Sequence, residues 1–266
     1  IAKKTSKDDL VIFLISGGAS ALLCSPLDGI NFDEKQKINN ELLKSGASID
    51  EMNIVRQSIS AVKGGRLLEL IKPSNCITYG ISDIPGDDPS FIGSGPTIYS
   101  NNDPNKLFEI LDNYQIEISK EILSIIKNNL LPKGINENFH LIASPMKALK
   151  AASNLAKKIG FLPIILSDKL EGDASKEGER MANLALKIKK EKRYKNISLE
   201  KPILLLSGGE TTVKVNGLGK GGRNSEFALS MVNTLKGNKN ILGLSIDTDG
   251  IDGSEDNAGA FFSYET

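Results

Sequence analysis

One short pattern occurs twice in this chain: an apolar run that ends in Ser-Gly-Gly. Residues 10–15 run into Ser-Gly-Gly at 16–18, and residues 203–206 run into Ser-Gly-Gly at 207–209. An unbroken apolar run of this length is typical of a parallel strand covered on both faces. Paired glycines after a strand allow a sharp turn whose main-chain N–H groups are open to a ligand, most naturally an anion. Because open α/β sheets bind ligands at the carboxyl ends of their strands, the pattern predicts two walls of one phosphate- or carboxylate-binding cleft.

The order of predicted elements defines the fold class. The 266 residues suffice for one large α/β domain or for two smaller ones. Strand patterns alternate with helical ones, which indicates a mainly parallel sheet. Pro, Gly and Asn cluster at 132–137, and this cluster predicts a boundary between domains at residues 1–133 and 134–266. The strand–helix–strand pattern over 139–166 predicts a right-handed βαβ unit. Predicted strands cover 10–15, 76–81, 139–143, 162–166, 203–206, 212–215 and 241–246.

Local signals mark several helix ends. Ser48 and Glu51 are spaced as a capping box, and Gly46 is placed to end the helix predicted over 32–45. Gly160 is placed in the same way after a helix predicted over 144–159. Further helices are predicted over 67–71, 104–113, 119–129, 174–192 and 224–235.

Charge and composition exclude several classes of partner. Lys plus Arg and Asp plus Glu both number 33, so the formal net charge of +0 gives no general attraction to nucleic acid or to an anionic membrane. Cys24 and Cys76 are not spaced as a metal site or a disulfide framework, which predicts free thiols. The chain has no signal peptide and no apolar run near 18 residues, so the expected location is cytoplasmic. Three of the five arginines, Arg56, Arg66 and Arg223, lie in or beside Gly-rich or turn-rich segments, as anion-binding arginines do.

A Gly-rich segment before the helix predicted at 224–235 is a second candidate anion site. Gly217, Gly219 and Gly222 form a G-x-G-x-x-G pattern, which is weak evidence alone. The segment follows a strand and opens a helix, so a phosphate at the helix N-terminus is the functional interpretation, with Arg223 beside it. A plain connecting turn is the alternative. The chain contains no P-loop G-x-x-x-x-G-K-[ST], which excludes a P-loop kinase.

Clustered aspartates follow two predicted strands. Asp249 and Asp252 follow the strand predicted at 241–246, and Asp83 and Asp87 follow the one at 76–81. Mg²⁺ takes one or two protein carboxylates and completes its shell with phosphate oxygens and water, so either pair is a candidate. A carboxylate here could also accept a proton from a substrate hydroxyl. Turn formation by Asp-Gly pairs is the structural alternative.

Serine hydrolysis is not favoured. The chain lacks G-x-S-x-G, and its single histidine, His140, falls on a predicted strand and outside every candidate motif.

Together these segments resemble a known family, the type-2 glycerate kinases, which end in a MOFRL domain. The matching motifs stand in the family's order and extend over nearly the whole chain. They occupy residues 16–22, 42–47, 53–56, 63–66, 82–87, 94–97, 207–212, 221–224 and 248–253.

The resemblance implies an ATP-dependent kinase that phosphorylates D-glycerate at its 2-hydroxyl with Mg²⁺, giving 2-phosphoglycerate. The implied fold is α/β, with two Rossmann-like three-layer domains, mainly parallel sheets, and the active site in the interdomain cleft. The catalytic candidates are Arg223, Asp249, Asp83 and Lys63, and Asp249 with Asp252 is a candidate metal pair. The candidates for binding substrate or nucleotide are Ser16, Gly17, Gly18, Ser20, Asn53, Arg56, Gly86, Ser94, Gly95, Ser207, Gly208, Gly209, Glu210, Thr212, Gly222 and Asn224.

The chain also departs from the family pattern. A Gly-rich turn with an important lysine normally precedes the first Ser-Gly-Gly, and a further C-terminal part of the MOFRL domain normally follows; neither is present. Gln57 and Ser58 stand where many members have Lys-His. The expectation is a chain truncated at both ends and inactive in isolation. Two alternatives stay open: an NAD(P)H-dependent hydroxypyruvate reductase and a non-catalytic nucleotide-binding module. A homodimer is also left open.

Overall fold

The computed structural model describes residues 1–84, 86–101, 103–135, 138–198, 200–215, 217, 219–254 and 256–266. Pro85 of the motif at 82–87, Leu218 of the Gly-rich segment and residues 136–137 of the predicted boundary lie outside this range. The chain forms two compact units, Ile1–Ser144 and Pro145–Thr266.

The first unit contains a three-stranded parallel sheet. Its strands are β1 (Leu10–Ile15), β2 (Asn75–Ile81) and β3 (Phe139–Ala143), in the order β1-β2-β3. The chain divides after β3, rather than at residue 133, because β3 pairs with β2. The strand ends that carry the candidate motifs therefore lie side by side, with Ile15 opposite Gly80.

Helices supply most of the core of the first unit. Buried side chains such as Ile38, Leu42, Val55 and Ile110 form one apolar cluster. The predicted capping box of Ser48 and Glu51 is present, and Gly46 ends the preceding helix in the left-handed conformation. The helices are α1 (Ala19–Leu22), α2 (Phe32–Ser45), α3 (Ile49–Ser58), α4 (Arg66–Ile71), α5 (Pro104–Asn113) and α6 (Lys120–Asn128).

The second unit combines one parallel strand pair with two antiparallel pairs. The parallel pair is β4 with β7, and the antiparallel pairs are β5 with β6 and β8 with β9. Met181, Met231 and Phe262 belong to its buried apolar cluster. The elements are α7 (Pro145–Lys158), β4 (Leu162–Asp173), α8 (Ala174–Glu191), β5 (Arg193–Tyr194), β6 (Ile197–Ser198), β7 (Ile203–Thr212), α9 (Arg223–Leu235), β8 (Gly243–Ile246) and β9 (Gly259–Phe262).

The α/β class with parallel sheets is confirmed, but two predictions about strand environment are wrong. The βαβ unit predicted over 139–166 does not form among the described residues, because β3 joins the sheet of β1 and β2 while β4 pairs with β7. The prediction that β1 is covered on both faces also fails. Its exposure alternates, and Leu10, Ile12 and Leu14 on one face are exposed.

The second Ser-Gly-Gly is part of a strand and does not form a turn. β7 continues through residues 207–212 because β4 is also longer than predicted and runs beside it to Asp173. The pairing register shifts twice along this stretch, and Gly209 lies opposite Leu170 with φ at +142°. Ser207 and Gly209 thus pair with β4 instead of forming the expected anion-binding turn.

Replacing Gly209 by alanine is expected to destabilise the second unit by about 2–4 kcal/mol. A Cβ at this position would lie 2.2 Å from the main-chain N of Leu170 and 2.3 Å from its O, and φ is unfavourable for alanine. Gly208→Ala is the matched control, since its Cβ would meet Leu149 Cδ1 at an ordinary 3.5 Å. Urea unfolding of the two variants provides the measurement. Equal losses for both would show that the close approach at Gly209 does not limit this strand pair.

Candidate active site

The first Ser-Gly-Gly forms the predicted turn at the end of β1. Ser16, Gly17 and Gly18 are exposed, and Gly18 begins α1 with φ at +78°. The carboxylate of Asp83, just after β2, packs directly against Gly17: a Cβ at residue 17 would lie 2.0 Å from Asp83 Oδ2. A side chain at 17 would therefore have to displace the Asp83 carboxylate from its present position. The predicted neighbours Gly17 and Asp83 do meet, and the Asp83 carboxylate gives this turn a negative side.

Beneath this turn, four of the predicted site residues bind one another. The ammonium group of Lys63 donates to the main-chain O of Ser20 at 2.8 Å and of Gly93 at 3.2 Å. Ser20 Oγ and Ser94 Oγ are hydrogen-bonded at 2.7 Å, and Ser94 Oγ donates to Asn53 Oδ1 at 3.0 Å. We call Ser20, Asn53, Lys63 and Ser94 the lysine–serine network. It fastens α1 to α3 and to the loop at 93–95.

Further hydrogen bonds hold the same loop. The main-chain N of Gly64 donates to Ser94 O at 3.1 Å, and that of Gly65 donates to Gly95 O at 2.8 Å. Gln57 Nε2 donates to the carbonyls of Ser90 and Ser94 at 3.1 and 3.3 Å. Sequence reasoning treated Gln57 only as a departure from the family. Its part in holding the loop depends on tertiary contacts that no local pattern shows.

Burial decides what the lysine–serine network can do. Lys63 is only 1% exposed, and Asn53 and Ser94 are also buried. Burial, together with the nearby charges of Lys35 and Arg56, lowers the pKa of Lys63 to about 8. Because the ammonium is enclosed by oxygens of its own chain, its geometry is that of a positioning residue. Direct contact of Lys63 with substrate, predicted from the sequence, is not supported by this arrangement.

Two other candidates of the first unit lie near this region. Arg56, on α3, donates from Nε to Asn39 Oδ1 at 2.8 Å, and burial lowers the pKa of its guanidinium. Gly86 is exposed in the loop after β2. The next residue, Asp87, has φ at +58°, and its Oδ1 is buried with no hydrogen-bond partner among the described residues. That oxygen is thus available to a ligand that supplies positive charge.

In the second unit, Arg223 is held by two carboxylates. Its Nε and Nη2 donate to Asp247 Oδ2 at 3.2 and 2.8 Å, and its Nη1 donates to Glu210. Burial lowers the pKa of Arg223, but these hydrogen bonds outweigh burial and raise it. We call Arg223, Glu210 and Asp247 the arginine cluster. The Asp247 side chain is 14% exposed and that of Glu210 is 54% exposed, so the Asp247 contact is the more enclosed.

The helix that begins at Arg223 is capped by Asp252. Asp252 Oδ1 accepts from the main-chain N of Asn224 at 2.8 Å, and Oδ2 accepts from the N and Oγ of Ser225 at 2.8 and 2.6 Å. Burial raises the pKa of Asp252, but the hydrogen bonds from Ser225 and Asn224 outweigh it and lower the pKa. The carboxylate therefore takes the place of the anion expected at this helix N-terminus. It also has no free oxygen for a metal, so the prediction of Asp252 as a metal ligand is corrected: the residue is a helix cap.

The remaining candidates of the second unit differ in exposure and in the elements that hold them. Gly222 lies against Asp252, since a Cβ there would be 2.4 Å from Asp252 Oδ1. Asn224 accepts from Ser245 Oγ at 2.7 Å, which ties α9 to β8. Asp249 is exposed, and its Oδ1 accepts from the main-chain N of Ile251 at 3.0 Å. Ser207, Gly208, Gly209 and Thr212 all lie in β7.

Asp247 is a candidate site residue that the sequence did not single out, and the structure pairs it with Arg223. It lies in the noted Asp-rich segment, directly after β8, but it was not selected over Asp249 and Asp252. Its position as the first residue beyond a strand end was the available signal. Within the described ranges, no group of three or more His, Cys, Asp or Glu side chains is arranged to hold a metal ion. No helix in the described part of the chain has the length and apolar character needed to cross a bilayer.

Comparison with known proteins agrees with the resemblance noted from the motifs. A model of the MOFRL family matches residues 203–266, and a model described as a domain of unknown function (DUF4147) matches residues 1–127. An Agrobacterium vitis protein with the provisional name hydroxypyruvate reductase is 45% identical over 97% of this chain, which spans 68% of that protein. The D-glycerate 2-kinase of Thermotoga maritima is 38% identical over 100% of this chain, which spans 63% of that enzyme.

A solved structure extends the likeness to three dimensions. The crystal structure of a glycerate kinase from Thermotoga maritima matches with a TM-score of 0.87 at 38% identity, over 98% of this chain and 62% of that one. This chain thus spans about three fifths to two thirds of the length of these relatives.

The fold, the lysine–serine network and the arginine cluster define an α/β protein with charged and Gly-rich loops at the ends of its parallel strands. Within that class, the chain belongs to the type-2 glycerate kinase family that carries the MOFRL domain.

Titration of buried Lys63 is expected to affect stability between pH 8 and 9.5. Its folded pKa of about 8 lies below the ordinary 10.5, so the unfolded chain binds more protons in this window and stability rises with pH. The gain relative to Lys63→Met is about 1.5 kcal/mol. Urea unfolding at several pH values measures it, with Lys37→Met on an exposed ion pair as the control. A parallel pH dependence of wild type and Lys63→Met would contradict the assignment.

Removal of the α9 cap is expected to destabilise the second unit whether or not metal is present. Asp252→Ala leaves the N–H groups of Asn224 and Ser225 without an acceptor, at a cost of about 2–4 kcal/mol. Asp249→Ala removes one exposed contact and serves as the control, at under about 1 kcal/mol. Unfolding is measured with Mg²⁺ and with EDTA. If EDTA abolished the difference between wild type and Asp252→Ala, Asp252 would have to be a metal ligand after all.

Proposed function

We propose that this chain forms part of an ATP-dependent kinase that phosphorylates D-glycerate at its 2-hydroxyl to give 2-phosphoglycerate. The observation that carries the proposal is the full-chain similarity to a D-glycerate 2-kinase, at 38% identity. The arginine cluster supports it, because it places a positioned guanidinium at the start of a helix in the segment that matches the MOFRL family. Two further residue sets, at the end of β1 and after β2, supply loops suited to phosphate and metal.

Arg223 is proposed to offset the negative charge that develops on the transferred phosphoryl group. Asp247 holds Nε and Nη2 and so fixes the plane of the guanidinium, while Nη1 contacts only the exposed Glu210. Glu210 is the more exposed of the two carboxylates that contact Arg223, at 54% against 14% for Asp247. A phosphoryl oxygen would therefore displace Glu210 from Nη1 and leave the Asp247 contact in place. Asp247 is thus a positioning residue, and Glu210 is the exchangeable partner.

The residues fit Mg²⁺ at one of the two predicted pairs. Asp252 does not fit, because its oxygens cap α9. Asp87 fits, because its buried Oδ1 has no hydrogen-bond partner among the described residues, and Asp83 lies against the glycine turn that would receive phosphate. When bound, Mg²⁺ would neutralise phosphate oxygens and allow them to approach Asp83. Asp83 and Asp87 would hold the cation, and the main-chain N–H groups at Gly17 and Gly18 would bind the phosphate.

Proton transfer and loop positioning are assigned to separate residues. Exposed Asp249 is the proposed acceptor for the proton of the 2-hydroxyl, since a base must be open to the substrate. The lysine–serine network keeps the loop at 93–95 and α1 in fixed relation from inside the first unit. This division assigns the proton transfer to the exposed Asp249 and the support of the loop to buried hydrogen bonds.

A hydroxypyruvate reductase is the alternative that the names of two relatives raise. Hydride transfer to a 2-keto acid usually uses a histidine acid, and His140 lies on β3, outside every candidate motif. The G-x-G-x-x-G segment precedes a helix, but Asp252 fills the N-terminus where a dinucleotide pyrophosphate would bind. Both observations favour the kinase. A non-catalytic nucleotide-binding module is the third candidate, which only a turnover assay separates from the kinase.

The remaining proposals concern the location of the protein, its ligand and its assembly. We place the protein in the cytoplasm, consistent with two free cysteines. Its proposed binding partner is its substrate, a small acid. The interdomain cleft and a homodimer remain predictions from the family resemblance.

The test is release of ADP from ATP with and without D-glycerate, in a coupled assay on the protein as its gene encodes it. Arg223→Met is expected to lower kcat about 10²–10³-fold, because transition-state charge loses its partner. Glu210→Gln is expected to lower KM for ATP by removing a competing anion, and Asp247→Asn to lower kcat. Arg180→Met, on a surface ion pair with Glu177, is the matched control and should change neither constant more than about twofold.

NADH oxidation with hydroxypyruvate, in the absence of glycerate-dependent ADP release, would overturn the kinase. ATP binding without turnover would favour the non-catalytic module.

A further inference from the structure

Three basic side chains converge where α1, α2 and α3 meet in the first unit. Lys35, on α2, donates from Nζ to Cys24 Sγ, just beyond the end of α1. Arg56, on α3, donates to Asn39, which lies one turn after Lys35 on α2. Lys63 donates to the carbonyl of Ser20 within α1. We call Lys35, Arg56 and Lys63 the basic cluster.

Three carboxylates on α2 and α3 are engaged elsewhere. Glu34 accepts from the main-chain N of Asn31 in a capping box. Glu41 is paired with Lys37, at 3.7 Å. Glu51 accepts from Ser48 and from Tyr114 Oη at 2.8 and 2.9 Å.

The basic cluster therefore lacks a protein counter-ion. In the described part of the chain, none of its three members forms an ion pair with Asp or Glu at 4.0 Å or less. Lys63 is buried, and Lys35 and Arg56 are partly buried, so solvent screens their mutual repulsion incompletely. Like charges held together in this way are stabilised when an anion binds between them.

The donors available point to a small planar anion. Arg56 uses only Nε within the described protein, so both terminal nitrogens of its fork remain able to donate. A guanidinium fork matches the two oxygens of a carboxylate. Lys35 donates to a thiol, which is a weak acceptor. A carboxylate oxygen in its place would form a stronger hydrogen bond with the ammonium group. Buried Lys63 adds positive charge from below without touching the ligand.

We propose that Lys35 and Arg56, backed by Lys63, bind the carboxylate of the acid substrate. This inference rests on the proposed function, because it assigns the acid end of D-glycerate to the first unit. It also makes Cys24 a reporter, since a carboxylate that takes over Lys35 lies beside the thiol. Specificity for a 2-hydroxy acid over a simple alcohol would follow from this contact.

The binding test compares variants at the basic cluster with a matched lysine. Lys35→Met and Arg56→Met are expected to weaken D-glycerate binding about tenfold or more, measured by calorimetry, and Arg56→Lys by less because it keeps the charge but loses the fork. Lys37→Met, on the same helix, should stay within about twofold of wild type. In turnover, the effect should fall on KM for glycerate with kcat little changed.

An independent readout is alkylation of Cys24 by iodoacetamide. D-glycerate is expected to slow it about fivefold or more, glycerol, which lacks the carboxylate, should not, and Cys76 provides the internal control. Protection by inorganic phosphate but not by glycerate would overturn the assignment in favour of a phosphate site. Unchanged glycerate affinity in Lys35→Met and Arg56→Met would also overturn it.

The two proposals can fail separately. Phosphoryl transfer with wild-type glycerate KM in both variants contradicts the carboxylate site and leaves the kinase intact. Glycerate binding and Cys24 protection without phosphoryl transfer support the site and contradict the kinase.

Discussion

A charge buried inside a protein is tolerated only when hydrogen bonds satisfy it, and Lys63 meets this condition with one oxygen from α1 and one from the loop at 93–95. Its ammonium links α1, which follows the first glycine turn, to the loop at 93–95. Loss of either contact would leave the buried cation incompletely hydrogen-bonded. The geometry at the end of β1 therefore depends on the hydrogen bonds of Lys63. For the same reason, the polar side chains of the lysine–serine network contact one another instead of solvent.

The second unit uses the opposite charge for the same purpose. Asp252 satisfies the first N–H groups of α9, and this fixes where the helix begins and so where Arg223 stands. Close packing supports the helix from its other side, since Gly178 on α8 leaves room for the main-chain O of Phe227, which a Cβ would approach to 2.5 Å. Arg223 is then oriented by Asp247. In both units a buried charged residue holds the frame, and less enclosed charged residues are left for chemistry.

The arginine cluster and the basic cluster differ in how their charges are paired. In the arginine cluster one guanidinium pairs with two carboxylates, whereas the basic cluster has no carboxylate partner among the described residues. A phosphoryl donor and a small acid need different binding sites. The phosphoryl donor carries several negative charges and a metal ion, whereas the acid carries one negative charge. In the proposed function, the basic cluster meets the single negative charge of the acid, and the Arg223 guanidinium is the donor that meets the phosphoryl group.

The sequence by itself determined the α/β class, most helix ends and the family. Capping residues such as Ser48 and Gly46 act on their immediate neighbours, so local pattern predicts them well. Tertiary structure decided the rest. Whether Ser-Gly-Gly turns or continues depends on its neighbour: at 16–18 no strand among the described residues extends beside it, whereas at 207–209 β4 does. The roles of Lys63 and Asp252 were likewise decided by burial and by partners distant in sequence, because a charged side chain looks the same in a sequence whether it holds a loop or meets a ligand.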